Sequence, residues 1–399
     1  MNEFYDLDDR KMRGTLRDWR KALRTPATYR VGNTVRVQPQ FILLIILTGI
    51  FLVVLFYYNW WTNTHAAEIQ RQSTPSRLQR KYNATYPLTA PSKLGDRVTF
   101  RIGIVTDLDK DSKSLKKSNT YYSYYKKGSL TYDAVKQTVE VTWDSEPPTL
   151  LSSTLANNGR GMELSELIVY DGRLLTFDDR SGIVFEIIDN KVVAWEILAD
   201  GDGYKQKGFK AEWATVKDEL LYIGSMGKEW TTPAGVFVNH DPMWVKVIDV
   251  HGEVQHKNWV NQFKRIRGAI GIEFPGYMIH ESGVWSPHKQ LWHFLPRRCS
   301  LTMYNETTDE VMGCNYLITA DEDFSHVNAK EITTKQPTLG FSSFKFIPGT
   351  NDEVIVALKT TEFEGTTSTY ITAFTTDGKT LLLYDTLVEN LKYEGLEFI

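Results

Sequence analysis

From Ser165 onward, short apolar runs with period two each begin at a single oxygen-bearing side chain. The clearest run, Glu166–Tyr170, is followed by Asp171-Gly172 and then Leu174–Phe177, which predicts a strand, a tight turn and a second strand. Ser165 stands where the first strand enters, and Asp178, Asp179 and Arg180 where the second leaves, so a hairpin brings both groups to one rim. The same pattern recurs in Glu212–Val216 with Leu220–Gly224, Glu281–Trp285 with Leu291–Leu295, and Ser343–Ile347 with Val354–Leu358. Glu394–Ile399 ends the chain with no strand after it. Because an unpaired strand invites aggregation, its partner is sought elsewhere, and Arg97–Asp109, closing on Asp107 and Asp109, is the best candidate.

The five starting residues are spaced roughly 50 to 70 positions apart, which leaves room in each unit for two further strands. Five such units, one closed by the two chain ends, predict an all-β, five-bladed β-propeller. The competing pattern is a set of unrelated hairpins in a β-sandwich.

Residues 1–95 read differently. Residues 1–40 are polar and rich in Arg and Lys, and are expected to be a cytosolic basic tail. Residues 41–61 carry no charge and end in Tyr57, Tyr58, Trp60 and Trp61, predicting an uncleaved transmembrane signal anchor of type II topology. Residues 62–95, poor in apolar side chains, read as a luminal stem, and 96–399 as the propeller. A net charge of −3 gives no reason to expect nucleic acid as a partner, while 11 Trp and 13% aromatic residues suit strand-rich packing.

Two sequons, at Asn83 and Asn305, are glycosylation candidates if the domain is luminal. Cys299 and Cys314 are either bonded across one hairpin or two buried thiols, and the spacing leaves this open. Zinc is excluded by the lack of C-x-x-C and H-E-x-x-H spacings. Asp200-Gly201-Asp202-Gly203 begins like an EF-hand loop but has Lys205 where that loop needs Gly, and Gly227-Lys228-Glu229 lacks the first Gly and the hydroxyl of a P-loop.

In a propeller the innermost strand of each blade lines the central channel, so Ser165, Glu212, Glu281, Ser343 and Glu394 are expected to converge on its axis. Three facing carboxylates repel one another unless a hard cation bound through oxygen lies between them, and Ca2+ is the economical choice. Alternatively, each residue merely caps its strand.

The segments Asp107–Asp109, Tyr124–Gly128, Gly159–Leu167, Asp178–Gly182, Lys207–Trp213, Gly227–Thr231, Gly340–Pro348 and Lys392–Ile399 strongly resemble the calcium-activated apyrases. That resemblance, spanning about residues 82–399, implies a five-bladed propeller with a central Ca2+ that hydrolyses nucleoside di- and triphosphates to release inorganic phosphate. It implies that Ser165, Glu212, Glu281, Ser343 and Glu394 are the calcium ligands and that Asp107 and Asp179 lie in the active-site cleft. Tyr121 and Tyr122 depart from a Trp-Phe pair of the vertebrate relatives. As phosphoanhydride hydrolysis needs charge neutralisation and an oriented water, Arg160, Arg180, Arg297 and Lys359 are the candidate phosphate clamps, and Asp107 or Asp179 the residue that orients water. Family and topology together suggest UDP or GDP hydrolysis in the endoplasmic reticulum or Golgi, with release by proteolysis and homodimerisation left open. The alternatives are a calcium-dependent propeller lactonase or esterase, and a non-catalytic calcium-binding propeller.

Overall fold

A computed structural model describes residues 28–31, 34–37, 43–58, 81–332 and 335–399. The chain divides into two compact units, Met1–Gln79 and Arg80–Ile399. In the first, Thr28–Val31 pairs antiparallel with Thr34–Val37, and residues 43–58 form an exposed helix. The described part of that helix spans about 24 Å at 1.5 Å per residue. No helix among the described residues is long and apolar enough to cross a membrane, so the expected transmembrane helix is not found. Residues 41, 42 and 59–61 of the expected anchor, most of the basic tail and the stem up to residue 80 lie outside the described residues.

The second unit is a five-bladed β-propeller. Each blade is an antiparallel sheet led by one inner strand: Tyr393–Phe398, Leu164–Tyr170, Trp213–Lys217, Tyr277–Ser286 and Leu339–Phe346. Four blades contain four strands in chain order along the path of the sheet. In the fifth, Tyr393–Phe398 pairs with Arg97–Thr106, so the last strand of the chain lies beside an early one. Residues 81–95, expected to belong to the stem, instead pack on this unit. Ser92–Leu94 pairs with Arg97–Thr106, and the Tyr86 hydroxyl donates to Glu397 at 2.9 Å.

Alternation along the inner strands explains the ring. Leu167 and Val169 face a core shared with Val105 and Tyr125 of the preceding blade, whereas Ile168 and Tyr170 face a core shared with Leu221 and Ile223 of the next. Both faces are therefore buried, so every residue of Leu164–Tyr170 is inaccessible and the strand reads as an almost continuous apolar run. Five such cores occur, one between each neighbouring pair of blades, and every inner strand contacts the next around a complete circuit.

The turns follow their residues. Asp171 and Gly172 both have positive φ, at 51° and 71°, the conformation of a type I′ hairpin whose twist matches the flanking strands. In the next blade Lys217 pairs with Leu220, leaving Asp218-Glu219 as a two-residue turn.

Cys299 and Cys314 are joined by a disulfide with Cα atoms 5.2 Å apart, and Asn83 and Asn305 are both exposed. The disulfide closes a loop with a sequence separation of 15, so replacing both cysteines by serine is expected to lower the unfolding free energy by about 3 kcal/mol. Denaturant unfolding of the double variant checks this, and a midpoint equal to that of the parent would contradict it.

Candidate active site

The polar positions expected to begin their strands are, in most blades, interruptions within them. In Leu164–Tyr170 the register slips between Leu164 and Leu167, and in Tyr277–Ser286 between His280 and Gly283, so Ser165 and Glu281 fall in β-bulges. Glu394 lies in a slip between Tyr393 and Gly395, and Ser343 borders one that begins at Phe341. A bulge places an extra residue opposite one partner and re-aims its side chain, which is how a polar group can stand within an otherwise apolar strand. Glu212 immediately precedes Trp213–Lys217, its amide donating to the Gly224 carbonyl at 2.8 Å.

The three glutamates approach one another through shared cations. A single Arg297 nitrogen, Nη1, contacts Glu281 and, at 2.8 Å, Glu394, while its Nη2 donates to Glu362 at 2.6 Å. Lys210 Nζ lies 2.5 Å from Glu212 and also contacts Asp179. Glu212 and Glu281 line one cavity of about 420 Å³, together with Lys210, Arg297, Tyr304 and Glu362. Burial pushes the Glu212 carboxyl up to about 8 despite Lys210, with the charges of Glu281 and Asp179 adding to the rise. Burial also raises Glu394 well above the usual carboxylate range. There Lys392 and Arg297 oppose the rise, while Glu281 and Asp107 reinforce it.

The serines are held differently. Ser165 Oγ donates to the Ala211 carbonyl at 2.5 Å, next to Glu212. Ser343 Oγ donates to Glu166 at 3.1 Å and accepts from the Leu396 amide at 3.2 Å. With both hydroxyl protons engaged, the serines' remaining contribution to a cation would be through oxygen lone pairs.

Beside this ring lies a second charged group, built by two loops. Asp178 ties them together, its carboxylate accepting from Met162 N at 2.8 Å and from Ser181 Oγ at 2.7 Å. The tie sets Arg160 and Arg180 on Glu163, at 2.7 and 2.9 Å, and Arg160 also reaches Asp109 at 3.1 Å. Lys392 Nζ contacts Asp107 at 2.7 Å, Asp109 at 3.2 Å and Glu394 at 3.4 Å, joining this group to the ring. Burial alone would raise the Asp107 carboxyl, but the Lys392 ammonium outweighs it and holds the group down at about 2. Asp179 is buried, with its amide on the Glu163 carbonyl at 3.1 Å, and among the described residues its Oδ1 has no hydrogen-bond partner, Arg180 Nε lying 3.7 Å away.

Of the expected phosphate clamps, Arg160, Arg180 and Arg297 are all in this network. Lys359 is not. Its ammonium pairs with Asp385 at 2.9 Å and lies over the Phe341 ring, because the side chain leaves the second strand of its blade away from the channel. Lys359→Met is accordingly expected to keep turnover within about twofold of the parent, and a larger loss in a steady-state assay would return it to the site.

The residues that sequence reasoning missed are Glu163, Lys210, Glu362 and Lys392, and Asp109 was seen only as the end of a strand. A signal existed for two of them: Lys210 and Lys392 each stand two positions before a ring glutamate, on the same side of an extended chain. Among the described residues, the carboxylates close enough together to share one metal ion are those of Asp107, Asp109 and Glu163, whose oxygens lie within 4.8 Å of one another. The ring glutamates are instead separated by Lys210 and Arg297.

Buried acids alternating with Arg and Lys at one end of a propeller channel define a propeller protein that handles a multiply charged anion. The family model described as Apyrase matches residues 108–399. Over 319 residues the chain is 50% identical to soluble calcium-activated nucleotidase 1 of Rattus norvegicus, covering 80% of this chain and 78% of that protein. It is 41% identical over 374 residues to an apyrase of Cimex lectularius, covering 94% and 100%, and 41% identical over 301 residues to apyrase apy-1 of Caenorhabditis elegans, covering 75% and 84%. The chain belongs to the apyrase family and is a nucleotide-hydrolysing enzyme.

Proposed function

We propose that the chain hydrolyses nucleoside diphosphates, UDP and GDP foremost, and also triphosphates, removing the terminal phosphate with Ca2+ as cofactor. One observation carries this reading: Arg160, Arg180, Lys210 and Lys392 surround acids of which, among the described residues, only Asp179 has a buried oxygen that accepts no hydrogen bond, Arg180 Nε standing 3.7 Å from it. The four cations suit the oxygens of a polyphosphate. Asp179 Oδ1 is then the acceptor that orients the attacking water and takes up its proton as the water oxygen bonds to the terminal phosphorus. The bridging P–O bond breaks and its electrons leave with the nucleotide shortened by one phosphate, the monophosphate from a diphosphate and the diphosphate from a triphosphate. Asp107, held anionic by Lys392, positions that lysine instead of accepting a proton.

The donor set fits calcium. Glu212, Glu281 and Glu394, with oxygen donors from Ser165 and Ser343, offer only hard oxygens, and the carboxyls of Glu212 and Glu394 are raised by burial and by neighbouring acids, a cost that a dication would relieve. Bound there, the ion would supply charge neutralisation to phosphate oxygens. The name of the rat relative, a calcium-activated nucleotidase, supports the same cofactor.

The location belongs to the same proposal: a type II protein anchored through residues 41–61, with the propeller in the lumen of the secretory pathway. Supporting it are the uncharged run from 41 to 61, the basic residues before it, the exposed sequons at Asn83 and Asn305 and a disulfide suited to an oxidising compartment. Phosphate release from UDP, GDP, ADP and ATP, each with calcium, magnesium or chelator, tests the function. Calcium-dependent release with UDP and GDP fastest is expected, and equal turnover in chelator would contradict it.

A further inference from the structure

The five inner strands build a second cavity farther along their length than the ring positions. Its volume is about 610 Å³, and every inner strand contributes to its wall, among them Val169, Val216, Trp285, Phe346 and Glu397. Tyr82 and Tyr86, from the segment preceding the propeller, complete the lining. None of the residues placed at the reaction lines it. Its size and largely apolar walls are those of a small-molecule site, in which a few polar groups fix orientation.

Those polar groups are unequally satisfied. Glu397 accepts from Tyr86 Oη at 2.9 Å, Val169 N at 3.0 Å and Phe398 N at 2.8 Å. Asp352 accepts from Ser286 Oγ at 2.6 Å and lies 3.2 Å from His288 Nδ1, and Asp218 is paired with Lys217. Glu166, behind the wall, accepts from Leu167 N at 2.9 Å and from Ser343 Oγ at 3.1 Å. Every carboxylate facing the cavity or lying behind it therefore has donors of its own. Lys345 lines the cavity at 5% exposure, and its Nζ makes no hydrogen bond. Its one ion pair among the described residues is to Glu166 at 3.4 Å. The Glu166 and Glu397 carboxylates neutralise its charge, yet its three N–H donors make no hydrogen bond, which is costly for a buried ammonium, and of the buried polar atoms without a hydrogen bond among the described residues it is the one on this wall.

We propose that this second cavity is a binding site for a small amphipathic carboxylate, its aromatic or branched aliphatic body held among Tyr82, Tyr86, Trp285 and Phe346 and its carboxylate received by Lys345. An anionic acceptor completes the ammonium's hydrogen bonds, which a cationic ligand cannot do, while the oxygens of Glu397, Asp352 and Asp218 on the same wall already have donors. The inner-strand framework supplies the walls, so the site does not depend on the catalytic reading.

Isothermal titration of the full chain with 2-naphthoate, 2-naphthamide and 2-naphthylmethylammonium tests this. Naphthoate is expected to bind with a Kd below about 1 mM, and more tightly than the amide or the cation. Lys345→Met should weaken naphthoate by about tenfold and abolish its advantage over the amide. Val216→Trp, which fills the cavity from another strand and leaves Lys345 intact, should abolish binding, and it carries the test should the lysine variant not fold. Unchanged naphthoate binding in either variant, tighter binding of the cation, or no binding of any probe would overturn the proposal.

Discussion

Asp179→Asn is expected to lower kcat for UDP by about 10²- to 10³-fold with little change in KM, because the amide removes the one acceptor placed to take a proton from water, while Lys210, which loses this partner, keeps Glu212 and Arg180 keeps Glu163. Asp107→Asn should behave differently. It breaks a buried contact with Lys392, and losing one member of a buried ion pair commonly costs about 3–5 kcal/mol. The second variant should therefore show lowered thermal stability together with its loss of activity. Steady-state kinetics and a melting curve for both proteins separate the roles, and an Asp179→Asn enzyme within fivefold of the parent would remove Asp179 from the chemistry.

Glu394→Gln is expected to raise the calcium concentration for half-maximal activity by about 100-fold, since metal affinity at oxygen sites follows the number of charged ligands. The substitution keeps shape and burial, and Arg297 retains Glu281 and Glu362, so the fold should tolerate it. Lys359→Met, remote from the channel site, provides the control whose calcium response should not move. If Glu394→Gln were activated by calcium at the parental concentration, this residue would not be a ligand.

Much of the propeller was legible because its inner hairpins bury both faces. Ile168 and Leu167 point to different cores and are both apolar, so the run they belong to stands out from the half-exposed strands around it. The outer strands Lys191–Ile197, Val254–Asn258 and Val327–Glu331 have at least one solvent-facing side and blend into loops, and their positions did not emerge. Ser165, Glu281 and Glu394 could be picked out as polar residues at the head of apolar runs. That they occupy bulges could not, since a bulge is a property of pairing between strands and not of one strand alone.

The cation network was less accessible still. Arg160 and Arg180 flank one hairpin in sequence, but Lys392 meets Asp107 from the far end of the chain, and Arg297 meets Glu394 from another blade. Such contacts follow only once the blades are set in a ring. Lys359 shows the converse error: its distance from Ser343 in sequence resembled that of the rim cations, yet the side chain sits over Phe341 and pairs with Asp385.

Calcium titration of the metal-free chain by calorimetry, repeated for Glu212→Gln, Glu281→Gln and Glu394→Gln, measures most directly whether the inner strands gather their oxygens around one cation. A single calcium per chain, bound more weakly in all three variants, is the expected result. Parental affinity in all three, with binding lost only when Asp109 or Glu163 is replaced, would place the ion at the neighbouring acidic group instead and contradict the ring.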